Sequence, residues 1–82
     1  MVVRVFDERS RTGCYLVAIF SGPHLLGSWW VDALEELEDA PLGSIRLYLQ
    51  GTYVGSIYGP ATVEFLGGVY EQGKPQRRIE LR

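Results

Sequence analysis

The sequence predicts a small α+β domain: a twisted, mostly antiparallel sheet of about five or six strands with one helix on one face, in the order β-β-α-β-β-β-(β). Three observations lead there. Short runs rich in Val, Ile, Tyr and Phe are bounded by Gly and Pro. One central stretch changes from an alternating to a helical period. The 82 residues, 46% of them apolar, suffice for a single domain over residues 1–82 with one modest core.

The first strand is expected from Val2 to Asp7, followed by a polar connection through Gly13. Cys14 to Phe20 is apolar at nearly every position, as in a central strand covered on both faces. Ser21-Gly22-Pro23-His24 reads as loop, because Pro fixes φ and disfavours helix in the residue before it. From Ser28 the residues Trp30, Ala33, Leu34, Leu37 and Ala40 fall within about 120° of one another at 100° per residue. A helix over 29–40 is therefore expected, with Ser28 as its N-cap, Trp30 pointing into the core and Pro41 ending it.

Beyond the helix, Ser44 to Gln50 and Tyr53 to Tyr58 flank Gly51-Thr52, a pair suited to a type II′ hairpin turn. That register places Leu49 opposite Val54, Leu47 opposite Ser56 and Ile45 opposite Tyr58 on the face meeting the helix. The other face then carries Arg46, Tyr48 and Tyr53, with the Tyr48 ring over Gly55. Thr62 to Leu66 reads as a strand, and Gly67-Gly68 as either a turn or a bulge. Val69 to Gln72 and Arg77 to Leu81 are expected as strands flanking a loop at Gly73 to Gln76.

The side-chain inventory opposes catalysis. The single Cys and single His exclude a disulfide framework and a Cys/His zinc quartet, so no metal or cofactor is expected. Cys14 is expected in the apolar centre of a strand, where a buried thiol is inert and behaves as a small hydrophobe, and His24 has no acid near it in sequence. The glycines match neither a dinucleotide fingerprint nor a phosphate loop. No apolar run is long enough to span a bilayer, and the charged N-terminus is unlike a signal peptide, so a cytoplasmic, non-enzymatic protein is expected.

Charge supplies the main functional expectation. On the expected helix Asp32, Glu35, Glu36, Glu38 and Asp39 project over roughly 80° to 240°, opposite the apolar stripe and with no Lys or Arg among them. They are 5 of the 10 acids, so the rest of the chain holds 8 basic and 5 acidic residues and is net +3. Such a face is either a solubilising surface or a docking surface for a partner protein with a basic surface. Trp29, at the start of the helix, is either an interface anchor beside the acids or a ring folded over Gly27. Arg46, Tyr48 and Tyr53 are secondary candidates, as an aromatic and basic patch. A formal charge of -2 and a pI near 5.2 disfavour direct nucleic-acid binding.

In size, plan and acidic surface the chain resembles the small phage-encoded anti-CRISPR proteins. That resemblance implies an inhibitor whose acidic face occupies a nucleic-acid-binding surface of a CRISPR effector complex. The alternatives from the residues themselves are a small structural or adaptor subunit of a larger assembly, and a nucleic-acid-binding module.

Overall fold

The computed structural model of the chain describes residues 1–37, 43–68 and 73–82. It corrects the expected fold class. Among the described residues there are eight strands and a single four-residue helical turn, and the strands form two sheets instead of one sheet under a helix.

The first two strands form where expected, β1 (Val2–Glu8) and β2 (Cys14–Ser21), paired antiparallel from Val2 opposite Phe20 to Glu8 opposite Cys14. The polar connection between them is α1 (Arg9–Thr12). Gly13 closes it at φ 79°, donating its N–H to the carbonyl of Arg9 at 2.9 Å. This left-handed position carries no Cβ penalty in glycine. Cys14 therefore opens β2, half-buried, and does not lie in the strand's apolar centre.

The next segment departs furthest from the expectation. Ser21 to His24 is a tight hairpin, from which β3 (His24–Val31) runs back along β2. The chain bends at Asp32 and continues as β4 (Ala33–Leu37) in the second sheet. No helix begins at Ser28. The reason lies in Val31, which the helical projection sets about 100° from Trp30, inside the acidic band. An alternating strand instead sends Val31 inward, where it is fully buried, and Trp30 outward, where it is half-exposed. Trp-Trp-Val is also strongly strand-forming, and its packing on β2 overrides the weaker helical pattern that follows. The expected C-terminal part of the helix, Glu38 to Ala40, lies outside the described residues.

β5 (Ser44–Leu49) and β6 (Thr52–Tyr58) form the expected hairpin in a different register. Its turn is Gln50-Gly51, with φ 53° and 77°, so both central residues are left-handed as in a type I′ turn. Val54 is extra in β6, so Leu47 faces Gly55 and Ile45 faces Ile57. Tyr48 consequently faces Tyr53 and not Gly55, and Arg46 faces Ser56. β7 (Ala61–Leu66) pairs parallel to β1 and antiparallel to β8 (Arg77–Leu81). Gly67 leaves the sheet, its carbonyl accepting the N–H of Asp7 at 3.2 Å, so the glycine pair ends β7. The strand expected over Val69 to Gln72 lies outside the described residues.

The larger sheet has the order β3-β2-β1-β7-β8 and the smaller one β4-β5-β6. Their facing sides share one core. Val3, Val5, Val17, Val31 and Val63 come from the large sheet and Ile45, Leu47 and Ile57 from the small one. Sheets packed face to face bury alternate residues of each strand, which explains why Val3 and Val5 are both buried while Arg4 between them is not.

Candidate interaction surfaces

The acidic candidates do not gather on one face. In β4 successive side chains alternate, so Glu35 and Glu36 point to opposite sides of the small sheet. Glu35 sits opposite Arg46, whose Nη1 lies 3.4 Å from its Oε1, and the Tyr48 hydroxyl donates to the same oxygen at 3.4 Å. Glu36 pairs with Arg77 of β8. Asp32 is the corner residue. Its N–H donates to the Tyr48 carbonyl at 2.9 Å, and its Oδ2 accepts the Gln50 N–H at 2.8 Å. It thereby ties the bend between the sheets to the β5–β6 turn. Each described acid of the expected band thus has a partner, and the band itself is a correction: Asp32, Glu35 and Glu36 do not form an acidic helix face. Glu38 and Asp39 lie outside the described residues.

The secondary candidates, in contrast, come together. Arg46 and Tyr48 of β5 and Tyr53 of β6 share the outer face of the small sheet, and Tyr58 joins them. These four side chains line an open groove of about 400 Å³. Tyr48 and Tyr53 meet edge to face, with ring centroids 6.0 Å apart and planes at 67°, a favoured aromatic geometry. The Tyr53 hydroxyl and Ser56 Oγ are 2.7 Å apart. Tyr48 and Glu35 hold the Arg46 guanidinium, and hydrogen bonding to Tyr48 followed by Coulombic attraction raises its pKa above the ordinary value. Tyr58 stands 64% exposed at the end of β6. The sequence alone sets Tyr58 on the inner face, because a hairpin register one residue off exchanges the two faces. The extra residue Val54 moves Tyr58 to the outer face, because the turn at Gln50-Gly51 alone shifts the pairing by an even number and leaves the faces unchanged.

Trp29 lies on β3 and not on a helix. It faces the gap between the sheets, where it borders a slot of about 190 Å³ with Ile19, Leu47, Val54 and Ile57. Its ring lies over Gly27, where a Cβ would stand 2.8 Å from its Cη2, and the residue is nevertheless half-exposed. Trp30 projects from the outer face of the large sheet opposite Leu16. Leu25 and Leu26, which carry no signal of their own in the sequence, are exposed on the same strand.

Several of the remaining charged side chains form local pairs and stacks. Arg9 donates to both carboxylate oxygens of Asp7, at 2.9 and 2.7 Å, while its guanidinium lies over the Tyr15 ring. Arg77 lies over Phe65, and Arg4 lies over Phe20 while pairing with Glu64. His24 is exposed at the start of β3. Among the described residues no group of three or more His, Cys, Asp or Glu is placed to hold a metal ion, and no helix is long and apolar enough to cross a membrane. Comparison with known proteins finds no matching family model, no similar curated protein and no similar solved structure.

Proposed function

We propose that the chain is a non-catalytic protein-binding module, an adaptor or subunit of a larger assembly, whose partner surface is the outer face of the small sheet. The observation that carries this reading is the convergence of Arg46, Tyr48, Tyr53 and Tyr58 around one open groove. Tyr and Arg are among the residues that most often dominate binding energy at protein interfaces. A tyrosine offers a large rigid ring with a polar tip, so it can bury area and still satisfy a hydrogen bond at low entropic cost. Here the Glu35–Arg46–Tyr48 contacts hold two of the four side chains in place before a partner arrives, which reduces the ordering cost of association.

The adaptor role is favoured over inhibition by acidic mimicry. Mimicry needs unpaired acids aligned on one surface, whereas Glu35 and Glu36 point to opposite sides of the sheet and both meet arginines. A nucleic-acid module is disfavoured for a related reason. Among the described residues Arg46 is the one cation lining the groove, it is engaged by Glu35, and the chain is net negative.

The test is quantitative capture from lysate by immobilised wild type, Tyr53→Ala/Tyr58→Ala and Arg46→Ala, with and without nuclease. A discrete protein retained by wild type, unaffected by nuclease and reduced about tenfold or more by the double variant supports the reading. Equal capture by all three proteins, or capture abolished by nuclease, contradicts it.

A further inference from the structure

We propose that β3 is the edge through which two copies of this chain join, by antiparallel β3–β3 pairing about a two-fold axis. The proposal is independent of the tyrosine face, which lies on the other sheet.

Among the described residues four strands stand at sheet edges: β3 and β8 in the large sheet, β4 and β6 in the small one. An edge strand presents unpaired backbone N–H and C=O groups, and monomeric proteins block such edges with charge, short length or a bulge. Two of the four edges are blocked in this way. β8 has five residues, including Arg77, Arg78 and Glu80. β4 also has five, including Glu35 and Glu36. β6, like β3, has one extra residue in its ladder, and its regular stretch beyond Val54 is the shorter of the two, residues 55–58. β3 differs. It has eight residues, HLLGSWWV, without Asp, Glu, Lys, Arg or Pro. It has one irregularity, near Leu26, and from Gly27 to Val31 its ladder with β2 is regular.

Its side chains match the same conclusion. Leu25, Leu26, Trp29 and Trp30 are 57%, 62%, 51% and 48% exposed, and both tryptophans of the chain are among them. With full side-chain areas near 200 Å², these four residues leave about 450 Å² uncovered per copy, or about 900 Å² for a pair. Even in full this lies below the roughly 1,200 Å² of a standard specific interface, so the pair is expected to be weak and to dissociate on dilution. A second copy is the occupant that supplies this area from the same strand. Identical strands meeting edge to edge about a two-fold run antiparallel, so each copy offers and receives the same surface. Centring the axis on Ser28 pairs residues 25–31 of the two copies within β3 and sets each Trp30 opposite the other copy's Leu26. Two exposed apolar side chains then meet across the new ladder. The two five-stranded sheets become one continuous sheet with its unprotected edge closed.

Sedimentation of wild type, Leu26→Lys and Trp30→Lys over about a hundredfold dilution series tests this, together with tryptophan emission at each concentration. Wild type is expected to run at twice the 9.2 kDa chain mass when concentrated and at the single mass when dilute. Its tryptophan emission should move to longer wavelength as it dissociates. Each lysine variant should raise the dissociation constant about tenfold or more while circular dichroism still reports a folded sheet. Because Leu26 and Trp30 are both about half exposed, two variants at separate positions guard against a folding defect in one. Wild type at the single mass throughout, or self-association equal in wild type and both variants, overturns the proposal. Neither result bears on capture through the tyrosine face.

Discussion

At the scale of single residues, two positions tie local geometry to stability. Gly59 meets the end of β8 so closely that a Cβ there would stand 2.5 Å from backbone atoms of Leu81 and Arg82. The obstruction is main chain, and Leu81 belongs to the core, so relief requires moving β8. Gly59→Ala should therefore cost about 1 to 3 kcal/mol in a urea denaturation experiment, the usual range for overpacking. A midpoint equal to wild type would show that the chain end yields freely. Asp7 gives a pH-dependent case. Side-chain hydrogen bonding from Arg9 lowers the pKa of Asp7 below its ordinary value, opposed by burial and aided by the Arg9 N–H and charge. A carboxylate with a lowered folded-state pKa contributes its stabilisation above the unfolded value, and loses it as pH falls through the folded one. The contribution of Asp7 is thus full above about pH 4 and fades below it. In Arg9→Gln the Asp7 carboxyl should titrate close to its ordinary value by NMR. An unchanged titration would mean that Arg9 does not set it.

At the scale of elements, the β5–β6 hairpin is the clearest local determinant. Its turn places Gln50 at φ 53°, a conformation that Asn adopts more readily than Gln. Gln50→Asn creates the favoured Asn-Gly pair and keeps the backbone N–H that Asp32 accepts. It should stabilise the protein by about 0.5 to 1 kcal/mol in the same denaturation assay. A destabilised variant would argue against the I′ geometry. The hairpin also shows what the sequence discloses and what it conceals. Ile45, Leu47 and Leu49 alternate with Arg46, Tyr48 and Gln50, so the strand is legible, as are β1, β2, β7 and β8. The register is not, because Gln at a left-handed turn position carries no strong signal and the extra Val54 is visible only once the strands pair. For residues 28–37, two periods compete over ten positions. Leu34 and Leu37 suit a helix, while Trp29 and Val31 suit a strand. Tertiary pairing with β2 and β5 decides the outcome, and that information does not reside in the segment.

At the scale of the whole molecule, the bend at Asp32 determines which surfaces exist. As a strand, residues 28–37 cross from one sheet to the other, divide the acids between two faces and leave the tyrosines exposed on the second sheet. The candidate site is therefore legible in the sequence only in its lesser part. Arg46, Tyr48 and Tyr53 are identifiable as neighbours on a hairpin, but Tyr58 and the β3 edge depend on the register and on the strand that replaces the helix. Every functional inference rests on this one segment. Backbone NMR of residues 28–37 tests it most directly, through carbon secondary shifts and contacts between protons on neighbouring strands. Strand-type shifts are expected, with cross-strand contacts between Val31 and Tyr15 and between Glu35 and Arg46, the pairs that the two ladders set opposite each other. Helix-type shifts, with contacts between residues three apart and none across strands, would contradict the account.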